Sequence, residues 1–369
     1  MIKVKMITID VRMINASGIG VYIRNLLPRI IATSHDLPIY LLGNCNELNQ
    51  YDWAANDHVE IINCDKPIFS IASQLEVIKK IPRDTKLFWS PNFIIRIFSK
   101  GKVLATVHDV FHLAMPEYLS MPVRASAKIL IEVLQHTADK IICVSHFSAR
   151  ELIRLTRIPE EKIQVIYNGV DNSWFDITPN DNPYNKPYLL FVGNVKPHKN
   201  LFALLKAFSM LKGKIDHDLV IVGKCEGFLT PDNNLGNAID SYDLHKRVHF
   251  TGYIEDDLLK QYYVFADALV FTSLYEGFGL PPLEAMASGI PVITSNISSL
   301  PEIAGDAAIL INPLSVDEIA DALIRVIEDN ELRLTLVAKG IERAKRFSWE
   351  DTAYKTLKLF QKWGYKKCG

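Results

Sequence analysis

The chain has 369 residues, of which 49% are hydrophobic and 22% charged, a composition typical of a globular protein with about two domains. Its formal net charge of −1 argues against bulk binding to nucleic acid, and its five cysteines, without a CxxC pair or a metal-ligand spacing, indicate a reducing compartment. The N-terminal stretch lacks the apolar core of a signal peptide, and no apolar run has the roughly eighteen residues of a membrane span. We predict a cytoplasmic protein without a transmembrane helix.

Short apolar runs alternate with helical patterns along the whole chain, which predicts parallel βα units. The predicted strands form two series, at 3–10, 38–43, 87–90, 103–107, 140–144 and 163–167, and then at 187–193, 218–223, 247–251, 268–272, 291–294 and 308–311. The segment 171–187 between the series is rich in Asn, Asp and Pro, as an interdomain linker would be. We predict an α/β protein of two Rossmann-like domains, 1–172 and 173–348.

The first strand is followed by a glycine pair, Gly18 and Gly20, just before a helical pattern. A glycine turn in this position presents backbone amides to phosphate or lets a ligand approach closely, and a plain tight turn is the alternative. The third glycine of a dinucleotide fingerprint and its acidic partner are missing, which argues against a redox cofactor.

Polar residues also follow two later strands of the first series. His108 and Asp109 come directly after the strand at 103–107, so they should emerge at the carboxyl edge, where open α/β sheets bind ligands. Asp109 either orients the imidazole or caps the next segment. Ser145 follows the strand at 140–144, where ligand binding and the capping of a helix that begins at Ala149 are both open.

The segment 193–201 leaves the first strand of the second series and opens a helix that Asn200 is expected to cap. It contains Lys196, His198 and Lys199, and such cations can balance the charge of a diphosphate without a metal. For Lys199 the alternative is an exposed, solvated lysine.

The segment Leu274–Glu284 says most about function, because it places Glu276 and Glu284 eight positions apart around a glycine-rich turn. A proline pair after the turn suits the first turn of a helix, whose free N–H groups and positive end form an anion site. The two carboxylates can then bind sugar hydroxyls on either side of a phosphate, a layout that fits a nucleotide sugar. The alternative is a turn cap and an idle first-turn acid.

Leu274–Glu284 and its continuation through Ile293 resemble the carboxylate-pair signature of retaining glycosyltransferases of family four, and the resemblance extends over most of the chain. It implies the GT-B fold, in which two Rossmann-like βαβ domains face each other across a cleft. The first would bind the acceptor and the second the donor. A last helix within 349–369, with Ser348 as its N-cap, would cross back on to the first domain.

The resemblance also implies roles for the candidate residues. Glu276 and His108 would hold the transferred sugar, Glu284 the nucleotide ribose, and Lys199 the diphosphate. Further donor contacts are implied at Gly18, Gly20, Gly193, Asn194, Lys196, Tyr253, Ile254, Phe278, Gly279 and Leu280, and acceptor contacts at Asp109 and Ser145.

Asn194 departs from the family pattern, which has Arg or Lys at this position. Either Lys196 or His198 is then left to assist Lys199. The spacing Asp216-His217-Asp218 matches the metal motif of other glycosyltransferases, but it precedes a strand and so lies at the edge away from the ligand. We therefore expect no metal and no other cofactor.

The carboxylate-pair motif and the segment 298–302 resemble bacterial mannosyltransferases that build O-antigen or capsule, so the expected donor is GDP-mannose and the expected acceptor a lipid-linked saccharide. UDP-N-acetylglucosamine or UDP-glucose is the alternative donor. An epimerase of the same fold and a silent nucleotide-binding subunit are alternatives of another class. The segment 93–102 mixes apolar and basic residues, which suggests peripheral membrane contact, although a strand edge with solvated lysines has the same composition.

Overall fold

The computed structural model describes residues 6–34, 37–68, 70–94, 101–224 and 235–363. The chain divides into two compact units. The first comprises Met1–Ala114, Met121–Gly169 and Ser348–Gly369, and the second comprises Met115–Ser120 and Val170–Phe347. Most of the segment 93–102, for which membrane contact was predicted, lies outside the described residues.

Within the described ranges, the first unit is built on a parallel sheet of seven strands. They are β1 Met6–Asp10, β2 Ile39–Gly43, β3 Val59–Asn63, β4 Thr85–Ser90, β5 Lys102–Val107, β6 Lys140–Cys143 and β7 Ile163–Val165. Their spatial order is β3-β2-β1-β4-β5-β6-β7, and each neighbouring pair is parallel. The helices of this part are α1 Ser17–Thr33, α2 Cys45–Leu48, α3 Ile71–Lys80, α4 Phe111–Ala114, α5 Met121–Thr137 and α6 His146–Leu155.

The second unit has a parallel sheet of six strands, again counted over the described residues. They are β8 Tyr188–Val192, β9 Asp218–Val222, β10 Val248–Gly252, β11 Ala268–Phe271, β12 Val292–Ser295 and β13 Ile309–Ile311. Their spatial order is β10-β9-β8-β11-β12-β13. The helices are α7 Leu201–Ser209, α8 Leu235–Ser241, α9 Asp256–Val264, α10 Leu280–Ala287, α11 Leu300–Ala304, α12 Val316–Glu328 and α13 Asn330–Ala344. The prediction of two Rossmann-like parallel sheets is confirmed.

Every predicted strand has a counterpart among the described residues, but β3 was missed. The strands that were predicted are continuous apolar runs because helices cover both faces of a parallel sheet, and β8 and β9 are buried along their whole length. β3 lies at the edge of its sheet, every residue in it is at least partly exposed, and it carries Glu60. Such a strand lacks the apolar run on which the prediction relied.

The last helix, α14 Trp349–Lys362, belongs to the first unit, as expected for a helix that returns to the first domain. It begins where predicted, because the Ser348 hydroxyl accepts a hydrogen bond of 3.1 Å from the Asp351 N–H. The buried Trp349 packs edge-to-face on Tyr22 of α1, with 5.8 Å between ring centroids. Of the helices in the described ranges, none combines the length and the apolar character that a membrane span needs.

Candidate active site

The strand order of the second sheet reverses between β8 and β11, which are neighbours in space but far apart in the chain. In open parallel sheets, the loops that follow such a pair flank the crevice where ligands bind. The loop after β8 ends in a short 3-10 helix, Pro197–Lys199, and the loop after β11 carries Glu276. The topology therefore brings together two segments that the sequence separates by 77 positions.

Lys199 and Glu276 form an ion pair at this point. The Lys199 Nζ donates to Glu276 Oε1 at 2.5 Å, and the two side chains are 16% and 14% exposed. The same ammonium lies 5.1 Å from the centroid of the Phe271 ring. Because both side chains are largely removed from water, removal of either partner would leave a poorly solvated charge without its counter-charge. The pair presents both an N–H donor and a carboxylate acceptor at the carboxyl edge of the sheet.

The loop that carries Glu276 is braced by the start of α11. The buried Ser299 hydroxyl lies 2.9 Å from the carbonyl oxygen of Glu276 and 2.8 Å from that of Phe278, so it can donate to either. Gly279 closes the loop with a φ of +109°, and a Cβ there would lie 2.8 Å from Leu300 Cδ2. The backbone conformation therefore favours glycine, and any larger residue would also displace the Leu300 side chain of α11.

The residues on either side of Gly279 have different environments. Phe278 is buried and packs edge-to-face on Phe347, with 5.9 Å between ring centroids. Its ring therefore contributes to packing. Leu280 is the first residue of α10 and is partly exposed, and the proline pair stands in the first turn, as predicted.

Glu284 lies inside α10 and faces a tyrosine. The Tyr263 hydroxyl of α9 donates to Glu284 Oε2 at 3.2 Å. Burial raises the pKa of Glu284 to about 7, and the negative charge of Asp256 adds to the effect. The two carboxylates of the motif are thus held differently, Glu276 by a cation and Glu284 by a phenol.

Three further donor candidates lie in the loop after β8. Gly193 has a φ of +154°, and the Asn194 side-chain oxygen accepts a hydrogen bond of 3.2 Å from the Lys224 N–H. Asn194 therefore joins the ends of β8 and β9 at the position where the family has a cation. Lys196 directly precedes the 3-10 helix Pro197–Lys199.

The prediction that Asn200 caps α7 with its side chain is wrong. Asn200 has a left-handed backbone, with a φ of +57°, and makes no capping bond, and its amide donates to the Pro313 carbonyl at 2.7 Å. The reason is that a 3-10 helix runs directly into α7, so the junction residue does not have the extended backbone of an N-cap.

Tyr253 and Ile254 follow β10 at the same carboxyl edge. The Tyr253 side chain is prominent on the surface, since the residue is 61% exposed. The Lys224 Nζ, at the end of β9, lies 5.1 Å from the centroid of its ring. This is a cation–π contact that joins the ends of β9 and β10, and nucleotide binding by Tyr253 stays a prediction.

His108 lies in the first unit, directly after β5. Its Nε2 is 2.8 Å from the Pro91 carbonyl oxygen, and because a carbonyl only accepts, Nε2 carries the hydrogen. Burial lowers the pKa of His108, so the imidazole is neutral near pH 7. The ring packs edge-to-face on Tyr22 at 4.9 Å. In this tautomer, Nδ1 is a hydrogen-bond acceptor, which suits a sugar hydroxyl.

The two acceptor candidates of the first unit cap helices. Asp109 Oδ1 accepts a hydrogen bond of 2.9 Å from the Phe111 N–H at the start of α4. The buried Ser145 hydroxyl accepts one of 3.0 Å from the Ser148 N–H, and α6 begins at His146, not at Ala149 as predicted. Both residues therefore make the helix-capping contacts that the sequence left open as an alternative. Acceptor binding by either residue stays a prediction.

The glycine pair near the N-terminus lies inside a helix, not in the predicted turn before it. Helix α1 begins at Ser17, so Gly18 and Gly20 occupy its first turn. A Cβ on Gly20 would lie 2.4 Å from the Ile14 carbonyl oxygen, whereas one on Gly18 would meet no atom within 4 Å in the described part of the chain. Packing against the preceding turn thus explains why position 20 is a glycine. No contact of this kind explains the glycine at position 18.

Comparison with known proteins identifies the family. A model described as Glycosyltransferase Family 4 matches residues 16–174, and one described as Glycosyl transferases group 1 matches residues 172–343. The chain is 32% identical over 292 residues to the O-antigen chain mannosyltransferase B of Escherichia coli, an overlap of 76% of this chain and 75% of that protein. The chain belongs to glycosyltransferase family 4.

Solved structures show that this glycosyltransferase has the GT-B fold. Sucrose-phosphate synthase from Thermosynechococcus elongatus aligns with a TM-score of 0.79 and 22% identity over 97% of this chain and 98% of that chain. HepE of Anabaena, in complex with UDP and glucose, aligns with a TM-score of 0.78 and 19% identity over 97% and 100%. Among sequence relatives, the serotype-specific mannosyltransferase WbdA of Escherichia coli is 32% identical over 237 residues, and the overlap spans 60% of this chain and 29% of WbdA.

The DxD spacing of this glycosyltransferase is part of the fold. Asp218 is the first residue of β9, at the amino edge of the sheet, and it is buried. Its Oδ2 accepts hydrogen bonds from the Tyr184 hydroxyl at 2.6 Å and from the Lys186 Nζ at 3.1 Å. His217 pairs with Asp267 at 3.1 Å. These contacts tie the polar segment before β8 to the sheet.

Two residues that hold the site, Tyr263 and Ser299, were not among the predicted site residues. A tyrosine among apolar residues at helical spacing reads as core, and a serine before a Leu-Pro pair reads as a helix cap. Neither pattern contains a signal for a contact with a distant loop. The missing information is tertiary, because both hydroxyls bond to groups more than fifteen positions away.

Proposed function

We propose that this glycosyltransferase moves mannose from GDP-mannose on to a saccharide acceptor, with retention of the anomeric configuration and without a metal ion or other cofactor. The names of relatives support mannose, and they include the O-antigen chain mannosyltransferase RfbU of Salmonella typhimurium, which is 31% identical over 209 residues. The acceptor would be a lipid-linked saccharide of a bacterial surface polysaccharide, used in the cytoplasm at the inner face of the membrane.

The observation that carries the proposal is the 2.5 Å contact between Lys199 Nζ and Glu276 Oε1 at the carboxyl edge of the second sheet. A lysine ammonium has three N–H donors, so Lys199 can bind a diphosphate oxygen while it still holds Glu276. The oriented Glu276 carboxylate can then accept a hydrogen bond from a hydroxyl of the transferred sugar. The cation can therefore bind the diphosphate on one side of the bond that breaks, and the carboxylate can bind the sugar on the other side.

In the proposed reaction, the bond between the anomeric carbon and the diphosphate oxygen breaks, and the acceptor oxygen bonds to that carbon from the same face. The departing phosphate oxygen takes the proton of the acceptor hydroxyl. Lys199 and the backbone amides near Gly279 would stabilise the charge that develops on the diphosphate. Glu284 would bind the ribose, and the neutral His108 would accept a hydrogen bond from a sugar hydroxyl through Nδ1.

A UDP-sugar is the second candidate for the donor. A specific observation favours it, since HepE, which shares the fold, was solved in complexes with UDP and with UDP-glucose. At 18–19% identity this likeness supports the fold and says little about the base or the sugar. The sequence relatives at 31–32% identity are named as mannosyltransferases, and they carry more weight.

Steady-state release of GDP from GDP-mannose by purified variants tests the proposed site. We expect Glu284→Ala mainly to raise the donor KM, because it removes a contact present before and during reaction. We expect Glu276→Ala and His108→Ala to lower kcat, because their contacts strengthen as charge develops on the sugar. Glu328→Ala, on an exposed position of α12, is the matched control. Unchanged kinetics in all three site variants would refute the site.

A further inference from the structure

We infer that Tyr263 of α9 is a positioning residue for donor binding, because its hydroxyl holds the Glu284 carboxylate in the orientation that the ribose requires. The inference rests on the proposed function, since it takes Glu284 as the ribose ligand. Tyr263 lies outside the carboxylate-pair motif. Through its contact with Trp174, it also connects the polar segment after Val170 to the donor site.

The contact itself is well defined. Tyr263 is completely buried, and its hydroxyl lies 3.2 Å from Glu284 Oε2 and 3.5 Å from the Pro281 carbonyl oxygen. An ionised carboxylate is the stronger acceptor of the two, so the hydrogen is donated mainly to Glu284. The proline pair fixes the backbone of α10, but the Glu284 side chain keeps three rotatable bonds. The tyrosine bond restricts them before a ligand arrives, which lowers the entropy cost of binding.

The ring of Tyr263 is in turn held by Trp174. The two rings meet edge-to-face, with centroids 5.1 Å apart and an interplanar angle of 81°. Trp174 is 9% exposed and ends the short 3-10 helix Asn172–Trp174, whose first turn is fixed by a 3.0 Å bond from the Ser173 N–H to Asp171 Oδ1. The Lys260 Nζ also lies 5.8 Å from the Trp174 ring centroid. Tyr263 is therefore completely buried and has an ordered aromatic neighbour that packs against its ring.

The hydrogen bond from Tyr263 affects how readily the Glu284 carboxyl ionises. Around the carboxyl, α9 contributes the Tyr263 hydroxyl and the negative charge of Asp256, and burial disfavours ionisation. A donated hydrogen bond favours the ionised carboxylate, which is the form that accepts bonds from both ribose hydroxyls. Removal of the Tyr263 hydroxyl should therefore leave less of the binding form near neutral pH.

The test compares Tyr263→Phe with Tyr262→Phe, the neighbouring residue of α9, in GDP release from GDP-mannose. Loss of a hydrogen bond to a charged group should raise the donor KM about tenfold for Tyr263→Phe, with kcat within about twofold of wild type. The inflection of KM against pH should also move to higher pH, which a purely structural role would not produce. Tyr262→Phe should leave both quantities unchanged. Trp174→Phe, which keeps an aromatic edge, should raise KM in the same direction by a smaller factor.

Glu284→Gln separates this inference from the proposed function. If Glu284→Gln raises KM but Tyr263→Phe does not, the positioning role is overturned and the ribose role of Glu284 stands. If neither variant changes KM, the proposed donor site itself fails. In the Glu284→Gln background, Tyr263→Phe should add little to KM. A further tenfold rise there would mean that Tyr263 acts independently of Glu284, and that result would also overturn the inference.

Discussion

At the scale of single residues, Glu276 and Glu284 show how one motif yields two kinds of carboxylate. Glu276 is paired with the Lys199 ammonium, whose Nζ lies 2.5 Å from its Oε1. Glu284 faces the neutral Tyr263 hydroxyl, and burial raises its pKa from 4.5 to about 7. We therefore expect Glu276 to contact the transferred sugar through a carboxylate oriented by Lys199, and Glu284 to bind hydroxyls with an affinity that depends on pH.

The raised pKa of Glu284 predicts a pH-dependent stability. Between the unfolded value of 4.5 and about 7, the folded protein binds more protons than the unfolded chain, so the free energy of unfolding falls as pH rises through this interval. Glu284→Gln is neutral at every pH and escapes this loss. Its stability relative to wild type should therefore increase by about 1 to 3 kcal/mol from about pH 5 to about pH 8.

Urea unfolding at the two pH values measures this difference. Glu328→Gln, on an exposed position of α12, should show the same stability relative to wild type at both. If the relative stability of Glu284→Gln does not change with pH, the Glu284 carboxyl is not desolvated as described.

Lys199, Glu276 and Glu284 could be nominated from the sequence because glycines, prolines and charges around them form a recognisable local pattern. Their mutual geometry follows from strand order, which the alternation of apolar runs and helices already predicts. The roles of Tyr263 and Ser299 could not be predicted, since an isolated hydroxyl carries no sequence signal for a partner in another loop.

At the scale of elements, the loop between β11 and α10 depends on the start of α11. Ser299 stands at the N-cap position, but its hydroxyl makes no capping bond and is directed to the carbonyl groups of Glu276 and Phe278. The hydroxyl thus links two elements where a cap would have stabilised one. Glu276 is held through its backbone by Ser299 and through its side chain by Lys199.

Ser299→Ala should therefore destabilise the protein by about 1 to 2 kcal/mol, because it removes the donor for buried carbonyl groups. Ser295→Ala is the matched control, since Ser295 is also fully buried and its hydroxyl has no hydrogen-bond partner within the described residues. We expect the control to lie within about 0.5 kcal/mol of wild type in urea unfolding. Equal losses in the two variants would show that Ser299 does not brace the loop.

Sequence patterns predicted the elements better than their ends. Both misplaced helix starts involve small or polar residues that are compatible with a turn and with a first helical turn, Ser17 in α1 and His146 in α6. The choice between the two depends on what the turn packs against, such as the Ile14 carbonyl that approaches Gly20. β3 was missed for a related reason, because an edge strand is selected by pairing with β2 and only weakly by its own apolar content.

At the scale of the whole molecule, the chain passes between two Rossmann-like units more than once, since the second unit comprises Met115–Ser120 as well as Val170–Phe347. At the crossings after Gly169 and after Phe347, the backbone makes close contacts within each unit. Val170 N–H donates to the Phe347 carbonyl at 3.0 Å, and a Cβ on Gly169 would lie 2.1 Å from the Trp349 nitrogen. The division into units thus depends on a few specific backbone positions as well as on the two cores.

The central claim is that this glycosyltransferase uses GDP-mannose and balances the charge of the leaving diphosphate with Lys199 and backbone amides in place of a metal. The most direct test is nucleotide release from a panel of GDP-, UDP- and ADP-sugars by the purified protein in the presence of EDTA, since slow donor hydrolysis needs no acceptor. We predict release of GDP from GDP-mannose alone, undiminished by EDTA. Release of UDP from a UDP-sugar, or activity that EDTA abolishes and Mn²⁺ restores, would contradict the claim.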